Sequence, residues 1–200
     1  MLSRTQGIGL SAVVIAVLTL GACGGSSSPQ DYFADLGSET RAYNEQIDEL
    51  RANYGSDLND ELSSLGDATD FTDTAGVDAY FDQAKEVAIV RTADLLADTG
   101  AALRGLIDAL RALEPPDGLV PAHDDAVATG EALAAAMPVT IEQVRSLDSI
   151  EELQETIDGS PFAVASQRFA IACRNLEAAA NGAGIEVDLQ CPDGIGGGSE

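Results

Sequence analysis

Residues 77–113 read VDAYFDQAKEVAIVRTADLLADTGAALRGLIDALRAL, and this stretch decides the fold class. Val77, Phe81, Ala84, Ala88, Leu95, Thr99, Leu103, Leu106, Leu110 and Leu113 step by three, four and seven. That spacing puts one apolar stripe along an α-helix. A helix of this length would span about 55 Å. Gly100 and Gly105 weaken it by up to about 1 kcal/mol each relative to alanine, and suit either a close helix contact or a bend. Pro115-Pro116 ends it.

The same pattern recurs on both sides. From about Asp31, Leu36, Thr40, Tyr43, Ile47, Leu50 and Tyr54 form a stripe that Gly55 interrupts, and Leu58, Leu62 and Leu65 resume it. Residues 66–76 are rich in Gly, Asp and Thr and read as a loop. A third helix opens between Asp117 and Pro121, with Val127, Leu133, Met137, Ile141, Val144 and Leu147 as its stripe and Pro138 as an expected kink. Ser149-Ile150-Glu151-Glu152 fits a capping box for a short helix that Gly159 stops. Ser160-Pro161 then starts a helix carrying Phe162, Phe169, Cys173 and Leu176 to a stop at Asn181-Gly182. Ile185 to Leu189 alternates like a strand but lacks a partner, so an extended segment packed on the helices is expected. Modest connections favour antiparallel neighbours. The expected fold is all-α, an up-down-up-down four-helix bundle with kinked helices and a pinned C-terminal segment.

Composition narrows the function. The chain has 34 Asp+Glu against 10 Lys+Arg, one His and three Cys. Nucleic-acid binding needs clustered Arg and Lys, so that class is excluded. Cofactors are not expected, and a zinc site would need more nitrogen or sulfur ligands.

The first 22 residues have the order of a secretory signal: Arg4, then an apolar run from Ile8 to Leu20. They end Leu20-Gly21-Ala22-Cys23, which resembles the lipobox of bacterial lipoproteins. That resemblance implies cleavage before Cys23, acylation of its sulfur, and a membrane anchor outside the cytoplasm, with inner or outer membrane open. Multiple acyl chains hold where a single one is marginal. Residues 23–30, Cys-Gly-Gly-Ser-Ser-Ser-Pro-Gln, then read as lipidated Cys plus flexible tether. Residues 31–192 are the helical domain, and 193–200 a Gly-rich end. The mature chain keeps nine bases against 34 acids. Such a body is repelled by anionic headgroups and stands off the bilayer.

With Cys23 assigned to lipid, Cys173 and Cys191 remain as an even pair, which oxidises outside the cytoplasm. Closing that loop adds roughly 3 kcal/mol in the chain-entropy account. The runs Leu110-Arg111-Ala112-Leu113-Glu114-Pro115-Pro116 with His123, and Ala172-Cys173-Arg174-Asn175-Leu176 with Val187-Asp188-Leu189-Gln190-Cys191, resemble small all-helical envelope lipoproteins. This second resemblance implies anchoring and fold, and no catalytic residues.

Candidate sites are few. His123 is expected partly exposed beside Asp124 and Asp125, with a catalytic or pH-sensing role as the sharper alternative. Asp67, Asp70 and Asp73 lie in the acidic loop and are the candidate cation ligands, although no EF-hand pattern starts there. Tyr54, Phe71, Tyr80 and Phe81 are expected to gather at one end of the bundle, either closing its core or forming a ligand or partner patch. The expected function is a non-catalytic docking module for an envelope protein, with a small-ligand or calcium-binding lipoprotein as the alternative.

Overall fold

The first helix opens on Ser28, whose side-chain oxygen accepts the Asp31 backbone N–H, with Pro29 in the first turn. The computed structural model describes residues 28–192. The expectations for Cys23, the signal segment, most of the tether and the Gly-rich end therefore lie outside the described residues. Pro29 and Gln30, counted above as tether, belong to the helix.

Among the described residues, five α-helices follow in order: α1 Pro29–Ala68, α2 Thr74–Ala112, α3 Val120–Arg145, α4 Leu153–Asp158 and α5 Pro161–Gly182. They make an all-α fold of several packed helices. Helix α1 packs on α2, α2 on α3, and α3 on α5, whereas α1 and α5 share no comparable face. The start of α1 lies beside the end of α2, since Tyr32, Phe33 and Leu36 join Leu103, Leu106 and Leu110 in one core. A second core gathers Ile89, Ala93, Leu96, Met137 and Val144, closed by Leu153 and Ile157 around α4.

Several local expectations change. Gly55 does not interrupt α1, because one glycine costs at most about 1 kcal/mol and the apolar spacing resumes beyond it. The loop shrinks to residues 69–73, since both helices run further toward it. Pro138 lies inside α3 without ending it. The capping box at Ser149 does not form: Ser149 Oγ accepts from Glu151 N, two residues on, and α4 starts only at Leu153. Ser160 does cap α5, accepting from Ala163 N at 3.4 Å.

Helix α2 sits between α1 and α3, so it buries more than one stripe. Ile89, Thr92, Ala93, Leu96, Gly100, Leu103, Leu106, Ile107 and Leu110 are all buried. Small residues set the approach of the helices. A Cβ on Gly130 would lie 3.0 Å from Ile107 Cγ1 and 3.2 Å from Phe169 Cε2. One on Gly100 would lie 3.5 Å from the Met137 side chain, and one on Gly105 would meet open space.

After α5 the chain turns at Gly184, whose φ of +76° is in the left-handed region that glycine tolerates. Residues 185–192 then run along the helices without regular secondary structure, with Gln190 at a φ of +48°. Cys191 is joined to Cys173 of α5 by a disulfide. Leu189 is buried in the main core, and Asn44 of α1 donates to the Gln190 carbonyl at 3.3 Å. The segment thus bridges α5 and α1.

Candidate functional site

Beyond Ile47, α1 has no buried residue, and α2 has none before Ile89. These two stretches form an arm that leaves the bundle. The free part of α2, residues 74–88, is about 22 Å long at 1.5 Å per residue. Leu58, Leu62 and Leu65 of α1 and Val77, Tyr80 and Ala84 of α2 are half-buried, as a two-helix seam requires. Arg91 anchors the base of the arm, pairing with Glu61 and lying 3.8 Å from Asp57. That contact holds the Glu61 carboxyl below its ordinary range. Tyr54 and Thr92 share a hydrogen bond of 3.2 Å at the same level.

At the tip, Phe71, Tyr80 and Phe81 stack edge to face, with ring centroids 5.3 Å and 5.5 Å apart. Phe71 is 54% exposed and Phe81 64% exposed. Phe81 was expected on the buried stripe. Instead Tyr80 takes the half-buried position and Phe81 faces outward, because the seam with α1 runs through Val77, Tyr80 and Ala84. Tyr54 does not join the cluster. It stands at the base of the arm against Thr92.

The tip is fixed by its loop. Asp70 Oδ1 accepts from Thr72 N at 3.0 Å and from Thr72 Oγ1 at 2.6 Å, which lowers the Asp70 carboxyl from its ordinary range. A Cβ on Gly76 would collide with the Asp70 carbonyl, so the backbone passes close there. Between residues 52 and 90 the chain has nine acids and one base, Lys85. Asp67 lies in the last turn of α1, and Asp73 occupies the cap position of α2 without a side-chain cap bond. Asp67, Asp70 and Asp73 do not converge: among the described residues, no group of three or more His, Cys, Asp or Glu side chains is placed to hold a metal ion.

His123 is at the other end of the molecule and is only 5% exposed, not partly exposed as expected. It turns inward because α3 packs against the start of α1, where Tyr32 waits. The Tyr32 hydroxyl and His123 Nδ1 are 2.9 Å apart. Burial lowers the His123 pKa, partly offset by the Asp124 charge, and pushes Tyr32 up to about 12. Tyr32 carried no signal in the sequence, since it adjoins the tether and its partner is remote in the chain. The pair is enclosed by Phe33 and the main core and is suited to holding helices together.

Among the described residues, no helix is long and apolar enough to cross a membrane. Comparison with protein-family models, with curated proteins and with solved structures finds no match for the chain.

Proposed function

We propose that the protein is a membrane-anchored, extracytoplasmic docking module, held by acyl chains on Cys23 and engaging an envelope protein through the tip of the α1–α2 arm. In this reading the scaffold is an antiparallel four-helix bundle, with α4 an appendage of the connection to α5. The observation that carries it is the exposed ring cluster of Phe71, Tyr80 and Phe81 at the end of a projecting arm. Aromatic side chains supply large contact area at little entropic cost, and they are enriched where binding energy concentrates.

The charge of the arm sets the partner. The outer arm that carries the rings, residues 62–90, has six acids against one base. An anionic bilayer surface repels such an arm, whereas a basic rim around an apolar recess attracts it. The partner is therefore a protein with a basic, apolar-centred surface. The role is non-catalytic, a scaffold offering a surface and not a reacting group.

A photo-crosslinking residue in place of Phe81, in intact cells, tests this. A discrete adduct lost on Phe71→Ser is expected. Absence of any adduct from the tip, with adducts from other faces, overturns the docking site. Mass spectrometry of the mature N-terminal peptide tests the anchor separately, with acylated Cys23 expected and an unmodified thiol overturning it.

A further inference from the structure

The bundle also contains a recess, unrelated to the arm. Because α1 and α5 share no extended face, a pocket of about 250 Å³ opens between them. Its floor is formed by Leu96, Leu103, Leu133 and Phe169, all buried core residues. Ile157 and Phe162 wall one side, and Pro192, next to the disulfide, touches the rim. An apolar cavity of about 150 Å³ with similar lining already takes up benzene. This one is larger, and smaller than the pockets of several hundred Å³ that hold drug-sized ligands.

The ionisable groups stand on one side, while Thr99 of α2 and Ser166 of α5 add hydroxyls elsewhere in the lining. Tyr43 and Arg51 of α1 line the pocket, two helical turns apart. Arg51 has one weak partner, Asp48 at 3.8 Å, and its side chain is 72% exposed. Its positive charge is felt by the Tyr43 hydroxyl, where it counters the effect of burial. In a chain with 34 acids and 10 bases, the pocket's ionisable lining is one arginine and one tyrosine, with no carboxylate among them.

We infer that this pocket binds a single-chain anionic amphiphile, with the hydrocarbon chain running past Tyr43 on Leu96, Leu103 and Phe169 and the head group at Arg51. An apolar floor with a guanidinium at the mouth matches a fatty carboxylate, and the volume suits one short chain and not a two-chain lipid. Arginine donates to a carboxylate through a planar fork. The neutral alcohol of the same length would keep the chain contacts and lose that pair.

The test uses the purified full-length protein, with decanoate and decanol as probes below their aggregation limits. Decanoate should titrate calorimetrically to one site per chain and raise the Tm, as a ligand of the folded state must. Arg51→Gln, at an exposed position that leaves the core intact, should weaken decanoate about tenfold and leave decanol unchanged, a tenfold change being about 1.4 kcal/mol. Thr99→Leu, which places a larger side chain in the half-buried lining, should weaken both. No saturable binding of decanoate overturns the proposal. Equal loss of both probes in Arg51→Gln overturns the anionic head group. Binding only to anionic vesicles, and not to soluble decanoate, moves the acyl chain's source to the bilayer and overturns the free-ligand assignment.

Discussion

Tyr32 and His123, 91 residues apart in the chain, share a hydrogen bond of 2.9 Å inside the protein. It fastens the start of α1 to the start of α3. Burial lowers the pKa of the imidazole, partly offset by the Asp124 charge. In the unfolded chain His123 titrates near 6.5. Its folded pKa is lower, so the unfolded state binds the proton first. The stabilisation is complete above pH about 6.5 and declines as pH falls through that value toward the folded pKa. Urea denaturation from pH 8 to 5 should show this decline, and it should be reduced in His123→Gln. Tyr32→Phe leaves the buried ring nitrogen unpaired and should cost about 1–3 kcal/mol at neutral pH.

Glycines at three helical positions should respond in opposite directions. Gly130→Ala places a methyl 3.0 Å from Ile107 and 3.2 Å from Phe169, where α3 meets α2 and α5. Overpacking of this kind costs about 1–3 kcal/mol, against a helix-propensity gain of up to about 1 kcal/mol, so a net loss of up to about 2 kcal/mol is expected. Gly55 and Gly105 are exposed, with nothing near the new Cβ. Alanine at either position should stabilise by about 0.5–1 kcal/mol through helix propensity alone. Chemical denaturation of the three single variants checks the signs.

The Cys173–Cys191 bond closes a separation of 18 residues. Reduction, or Cys191→Ser, should cost about 3 kcal/mol in the chain-entropy account. The loss should be local as well as global. The segment carrying Leu189 covers the Phe33 side of α1, so its release exposes that face to solvent. Faster amide exchange in residues 29–41 of the reduced protein, relative to the oxidised one, is the expected readout.

The arm should be the least stable part of the described chain. It has a half-buried seam and no fully buried residue, and local stability follows burial. Amide exchange of residues 55–88 should be faster than that of residues 100–110 and 126–144. Phe81→Ser should change global stability by less than about 0.5 kcal/mol, because the ring faces solvent. Gly76→Ala should loosen the tip, since its Cβ meets backbone and not a side chain that can move.

Much of this molecule was legible in local patterns. The long α2, the Ser160-Pro161 start of α5, the final segment packed on the helices and the Cys173–Cys191 pair all follow from residues close together in the chain or from simple cysteine counting. The clustering of Phe71, Tyr80 and Phe81 was legible too, because a short connection must bring the end of α1 back beside the start of α2. The separation of Tyr54 from that cluster was not. Helix rise carries Tyr54 many turns down the arm before the chain reverses, and the loop is shorter than composition suggested.

Periodicity states that a helix has an apolar face, and the residues alone settle that. Which residue turns inward depends on where neighbouring helices lie. Tyr80 and not Phe81 enters the seam because α1 lies on that side of the arm, and further along α2 buries a broad face because it packs between two helices at once. The Tyr32–His123 bond, the close approach at Gly130 and the opening between α1 and α5 arise from contacts remote in the chain. Such contacts leave no mark at a spacing of three or four residues. They exist once several amphipathic helices have shared out a single interior, and packing at that stage sets the geometry.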